Sequence, residues 1–292
     1  MPRLRIGTFI FSGYEPLFLA RSLGKLDEKR VQLLEFPSSA EALLAFKNEA
    51  IDGLTTTLDD VLRLAQASHE PRVVLMIDYS NGADVILAKR GIDDIEGLRG
   101  KRVGVETNAL GTFMLARALE TKGMKFEDVQ LISLRVDGIE GAFQQGDVDA
   151  AVTYGPFSSR LIARGARLIF DSTALKGEIA DALIFRRKII EPQRKNIALT
   201  LEGWFSALDF LRENPKAATE RIAPREGLTA AQFAEALKLL HLYTREENRA
   251  LLAGESVELN ARLRKMAAFL EAQKLMPAGV EATGLLDGSF LR

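Results

Sequence analysis

One stretch of this chain is written twice, 97 residues apart. Arg5-Ile6-Gly7 returns as Arg102-Val103-Gly104, and Leu19-Ala20-Arg21 returns, at an offset of 96, as Leu115-Ala116-Arg117. Phe46-x-x-x-x-Ile51-Asp52-x-x-x-Thr56 returns as Phe143-x-x-x-x-Val148-Asp149-x-x-x-Thr153. Matches in one order at nearly one offset predict two similar α/β units, from duplication or from a shared build. The competing explanation is chance matching of common strand-Gly and Leu-Ala-Arg patterns. Two like lobes with a groove between them are a natural enclosure for a small molecule.

Composition narrows the function classes. A length of 292 residues suits about two domains, each able to bury a core. Net charge is −1 with Lys and Arg scattered singly, so no basic footprint for nucleic acid is expected. No apolar run approaches the roughly 18 residues of a membrane-spanning helix. The absence of cysteine removes thiol catalysis, disulfides and Cys-based metal sites. The only histidines are His69, in a turn before Pro71, and His241, in a helical pattern. General acid–base chemistry near neutral pH usually recruits histidine, and this chain is poorly equipped for it. The start, Met1-Pro2-Arg3-Leu4-Arg5-Ile6, enters a strand directly. It lacks the basic and apolar stretches of a secretory signal, so the protein is either cytosolic or has had a signal removed.

Strands and helices alternate along the first 187 residues, which predicts parallel sheets with crossover helices. Strands are expected at 4–10, 31–36, 52–56, 72–77 and 85–88, then at 102–105, 128–133, 149–153, 167–170 and 181–187. Ser38-x-x-Glu41 and Thr229-x-x-Gln232 read as capping boxes, and Thr57 as a helix cap. After residue 188 only helices are expected, over 189–213, 215–224, 229–241, 244–252 and 256–273, packed on the first lobe. Residues 276–292 read as a loose surface tail. The chain should cross between lobes near 80–88 and again near 172–185. Residues 85–181 should then form one lobe, inserted between 1–84 and 182–292 of the other.

In parallel α/β sheets, ligands bind outside the carboxyl ends of the strands. Those ends carry Phe11, Tyr14, Thr56, Thr57, Ser80, Asn81, Asp84, Thr107, Asn108, Ala109, Asp137 and Tyr154. Several of these loops open a helix, whose free N–H groups attract an anion. Thr56 and Thr57 in one lobe, with Thr107 and Asn108 in the other, could hold opposite sides of one anionic group, beyond capping their helices. Asp84 and Asp181 sit at the two crossings. They serve either a ligand amine or ring N–H, or hinge hydrogen bonding. Asp59 and Asp60, in a first helical turn, read as caps. Phe9, Phe11, Tyr14, Tyr154 and Phe157 are aromatics able to wall the groove. No nucleophile elbow, phosphate-binding loop, dinucleotide fingerprint or metal cluster is present, so no catalytic residue, cofactor or metal is expected.

Five segments carry a family resemblance: Gly13–Ala20, Thr55–Asp60, Ser80–Asp84, Gly97–Val105 and Gly146–Thr153. In their order and spacing, from about residue 4 to 252, they resemble the nitrate/taurine/aliphatic-sulfonate family of ABC-transporter substrate-binding proteins. That family also includes binders of thiamine-pyrimidine precursors. The resemblance implies an α/β type II periplasmic-binding-protein fold, with two lobes, two crossover strands and extra C-terminal helices. It implies a monomeric receptor outside the cytoplasmic membrane. Such a receptor captures a small anionic or polar organic molecule, sulfonate-, nitrate- or pyrimidine-like, and delivers it to an ABC permease. The family often has Trp-Glu-Pro-Trp where this chain has Tyr154-Gly155-Pro156-Phe157, so a carboxylate is missing there. That departure implies a bulkier or less cationic ligand than taurine. The alternative is a biosynthetic enzyme of the same fold, in thiamine-pyrimidine or menaquinone synthesis. A signalling sensor is a third possibility.

Overall fold

The computed structural model describes residues 2–106, 110–253 and 256–291. The strands in chain order are β1 (Leu4–Phe9), β2 (Val31–Phe36), β3 (Gly53–Thr57), β4 (Pro71–Ser80), β5 (Asp84–Ala88) and β6 (Arg102–Val105). They continue as β7 (Gln130–Ser133), β8 (Ala150–Tyr154), β9 (Arg167–Asp171), β10 (Ala180–Arg186) and β11 (Leu240–Leu242). The helices are α1 (Glu15–Ser22), α2 (Ser39–Lys47), α3 (Leu58–Gln66), α4 (Leu110–Glu120), α5 (Val136–Gln145) and α6 (Phe157–Ala163). After them come α7 (Arg187–Ile190), α8 (Arg194–Glu213), α9 (Pro215–Ile222), α10 (Ala230–Leu237), α11 (Arg245–Leu252) and α12 (Val257–Ala272).

The strands form two sheets with one plan. The first runs β2-β1-β3-β10-β4-β11 and the second β7-β6-β8-β5-β9. In each, the opening strand pairs in parallel with two others: β1 with β2 and β3, and β6 with β7 and β8. The next position is taken by an antiparallel strand that arrives from the other sheet, β10 in the first and β5 in the second. Asp84 therefore already belongs to the second sheet, and Asp181 to the first.

The doubled sequence has a doubled physical job. The Arg5 N–H and guanidinium donate to Asp52 at 2.8 to 3.1 Å, tying β1 to the start of β3. Arg102 holds Asp149 with the same three bonds at 2.8 to 3.1 Å, tying β6 to β8. The repeated glycines make room for the neighbouring core residue. A Cβ at Gly7 would lie 2.3 Å from the Ile51 side chain, and one at Gly104 would lie 3.3 Å from Val148.

The C-terminal third departs from the expected all-helical reading. The helix expected over 229–241 stops at Leu237, and Leu240–Leu242 becomes β11 along the edge of β4. His241 is thus a strand residue, stacked on Tyr79 with centroids 4.8 Å apart. The expected helix 189–213 is broken at Glu191-Pro192-Gln193, because Pro192 has no N–H to continue α7. The segment expected to be loose, 276–292, is docked: Val73 and Asp287 donate backbone bonds of 2.8 Å to Leu285 and Val73, and Leu285 and Leu291 are buried. α12 also does more than cover the first sheet. Its Phe269 meets Phe113 of α4 edge-on at 5.5 Å.

Candidate functional site

The carboxyl ends of β1, β3, β6 and β8 point toward one another, and a cavity lies between the two sheets. Free space for the centres of water-sized spheres amounts to about 40 Å³. That is room for a few water molecules. The first sheet contributes Phe9, Phe11, Tyr14, Thr56, Thr57 and Asp181 to the wall. The second contributes Asp84, Glu106, Val152, Thr153 and Tyr154. Helices supply Ser39, Asp60, Met114, Val136 and Ile139.

The aromatic wall is cooperative. Tyr14 receives Phe9 and Phe11 edge-on, each at 5.1 Å. Tyr154 reaches across from the second sheet to Phe11 at 5.7 Å and Phe9 at 6.3 Å. Three of these contacts are edge-to-face and the Phe9–Tyr154 contact is tilted, so the rings form one linked wall of the cavity.

The polar wall is acidic. Asp60, Asp84, Glu106 and Asp181 line the cavity, and among the described residues no Lys, Arg or His does. Asp181 accepts a hydrogen bond from the Tyr14 hydroxyl. Burial lifts Asp181 to about 8 against that bond, with Asp84 adding to the rise. Asp78, its neighbour across the β4–β10 pair, is pushed well above the carboxylate range by burial and then by Asp181. A Cβ at Gly13 would lie 2.1 Å from the Asp78 carboxylate, so only glycine fits against it. Burial raises Asp84 to about 6 and Asp60 to about 7, and Asp59 adds to the rise at Asp60. Glu106 is raised by burial, while bonds from Ser39, Ala40 and Ser38 pull it down.

Several polar atoms on this wall have no partner. They are Asp84 Oδ2, Glu106 Oε1, Thr153 Oγ1 and Tyr154 Oη. Buried polar groups are normally hydrogen-bonded, so a cluster of orphans on one cavity marks where a ligand makes its bonds.

A family model for the NMT1-like family matches residues 1–224. The chain belongs to the NMT1-like family. A curated relative from Escherichia coli (strain K12), named for binding aliphatic sulfonates, is 32% identical over 152 residues, 51% of this chain and 47% of that protein. The taurine-binding periplasmic protein of the same organism is 26% identical over 156 residues, 53% of this chain and 43% of that protein. These matches span about half the length of the curated relatives. The crystal structure of the periplasmic aliphatic sulphonate binding protein SsuA from Escherichia coli superposes with a TM-score of 0.80 at 24% identity, covering 100% of this chain and 99% of that one. At that identity the likeness is one of fold: two α/β lobes of the periplasmic-binding-protein type.

The NMT1-like chain brings together Phe11, Tyr14, Thr56, Thr57, Asp84, Tyr154 and Asp181 of the residues singled out from sequence. Three others lie off the cavity. Ser80 bonds Ser172 at 2.7 Å and accepts from the Asp84 N–H at 3.1 Å, so it shapes the crossing. Asn81 is exposed at the turn beyond it. Asp137 follows Val136, which faces the cavity, and the helical turn of about 100° per residue sends it outward to Arg135 at 3.0 Å. Thr107, Asn108 and Ala109 lie outside the described residues. The hydroxyls of Thr56 and Thr57, expected to grip an anion, donate instead to Asp60 at 3.1 Å and Asp59 at 2.5 Å. Asp60, read as a cap, is wall. Glu106, Ser39 and Thr153 were not singled out as ligand residues. The repeat signalled Thr153, which stands one repeat from Thr56. Glu106 follows the strand expected over 102–105, so the strand-end rule located its loop without singling out its acid.

Proposed function

We propose that this NMT1-like chain is the solute-binding receptor of an ABC importer, working outside the cytoplasmic membrane and handing a small polar organic molecule to a permease. The observation that carries the reading is the cavity whose orphaned polar atoms lie between two sheets of matching topology. The part built on β1–β4, β10 and β11 and the part built on β5–β9 act as two lobes that close on the ligand. Closure requires the closed state to bind better than the open one. Contacts across the cleft mouth support such a closed state. Ser39 donates to Glu106 at 3.0 Å, and Arg135 pairs with Glu41 at 2.5 Å.

The ligand is released unchanged. The relatives quoted above are named for binding, and the wall offers carboxyls, hydroxyls and aromatic faces with no thiol or histidine. Mass spectrometry of small molecules released from natively purified protein identifies the ligand. Returning it should compact the protein in solution scattering and raise its melting temperature with ligand concentration. A protein that yields no ligand and never compacts is no receptor. Recovery of a chemically modified product would assign it to catalysis instead.

A further inference from the structure

We infer that the ligand is a small organic cation, an ammonium or amidinium group on a flat apolar body. The inference rests on the receptor reading above and specifies its cargo. Three independent observations support it.

The first is charge. The cavity wall carries carboxyls and no cationic side chain among the described residues, and Asp84 Oδ2 and Glu106 Oε1 are orphaned there. Asp84 and Glu106 are only 4% and 8% exposed, so water does not satisfy these oxygens in bulk. An ionised carboxylate oxygen only accepts, so once these acids lose their protons the missing partner is a donor.

The second is that two of the helix ends facing the cavity, those of α2 and α3, are already answered from within. Glu106 lies against the N-terminus of α2, accepting from Ser39 at 3.0 Å. Asp59 and Asp60 stand in the first turn of α3, and they take the hydroxyls of Thr57 and Thr56. An anionic ligand entering here would displace a resident carboxylate or sit beside it uncompensated.

The third is the aromatic cage. Tyr14, Phe9, Phe11 and Tyr154 form a linked set of rings drawn from both sheets. Aromatic faces attract cations and accept flat apolar groups. A metal ion does not fit this description, since no group of three or more acidic, His or Cys residues among the described ones is arranged to hold one. The carboxylate missing at Gly155, which implied a less cationic ligand, is thus replaced by acids from other elements.

The test is a melting and calorimetry panel on the full chain. Benzamidinium, benzylammonium and tetramethylammonium are compared with ethanesulfonate, taurine and nitrate. The cations should raise the melting temperature in a concentration-dependent way, and the anions should not. D84N and E106Q should each weaken cation binding by roughly tenfold to a hundredfold, the range of a lost charged hydrogen bond. Unliganded D84N should melt near or above the parent temperature, because it removes a buried charge with one unpartnered oxygen, and E106Q should keep a single cooperative transition, because its remaining oxygen can still accept from Ser39. That shows folding is intact. The proposal is overturned if the anions shift melting and the cations do not, or if the variants bind cations as the parent does. It is also overturned if the natively released ligand is neutral or anionic, and the receptor reading then survives. If no small molecule is released and no probe changes melting or scattering, both readings fall.

Discussion

At the scale of single residues, the chain tolerates acids where a core normally excludes them. Asp84, Asp60 and Asp181 are buried and raised to about 6, about 7 and about 8. Their unfolded values lie near 4. The folded state therefore holds protons that the unfolded state has lost between those limits. Stability is fully present below about pH 4 and declines as pH rises through the folded values. Each group contributes a slope of at most about 1.4 kcal/mol per pH unit. Melting curves of the unliganded protein should fall from pH 5 to pH 8, and Asp84→Asn should flatten the slope between pH 5 and 6. A melting temperature that climbs over this range contradicts the buried-acid account. For a cationic ligand the dependence reverses: affinity should increase with pH as Asp84 ionises, and binding should release protons. Calorimetry in buffers of different ionisation enthalpy reads that release directly.

At the scale of elements, the repeat shows how much of the fold was legible. Arg5 with Asp52 and Arg102 with Asp149 stand one repeat apart and make the same three bonds. The Arg102 bond holds the Asp149 carboxyl down to about 2. Asp149→Asn should cost about 1–2 kcal/mol at neutral pH, since the pair is partly exposed. The deficit should shrink as pH falls below about 4 and the parent loses its charge; chemical denaturation at pH 7 and pH 3 compares the two. The latch across the cleft is weaker. Arg135 and Glu41 are 50% and 38% exposed, so Arg135→Ala should barely change melting. It should speed ligand release by roughly two- to fivefold, as a stopped-flow displacement would show. Alternation and capping made β1 to β10 readable, because strand ends and helix starts are local signals. β11 was not readable: Leu240-His241-Leu242 is too short for a period, and only the free edge of β4 makes it a strand. The site follows the same division. Thr56, Asp84, Tyr154 and Asp181 stand at strand ends that sequence locates. Glu106 meets α2 across 67 residues, a contact set by how the two sheets face each other.

At the scale of the molecule, two crossings join the halves, and one hydroxyl ties them together. Ser172, immediately after β9, bonds Ser80 at the end of β4 at 2.7 Å. The same oxygen accepts from the Gly82 N–H at 2.7 Å, and Ser80 accepts from the Asp84 N–H at 3.1 Å. The crossings are thereby fastened beside Asp84 and Asp181, two of the acids that open onto the cavity. A hinge fastened at one place lets the sheets swing as bodies while keeping those acids in register. Ser172→Ala leaves the Gly82 N–H without its acceptor and removes one of the two partners of the Ser80 hydroxyl. The variant should lose about 1–3 kcal/mol of stability. Its unliganded form should also show a broader distribution of dimensions in solution scattering, because the crossings can then move separately. Saturating ligand should restore the parent's compact dimensions, since the closed cleft supplies contacts of its own. Parent-like melting and parent-like scattering in the variant would show that the fastening is idle, and that the swing of the two sheets is governed elsewhere, by the contact of α12 with α4.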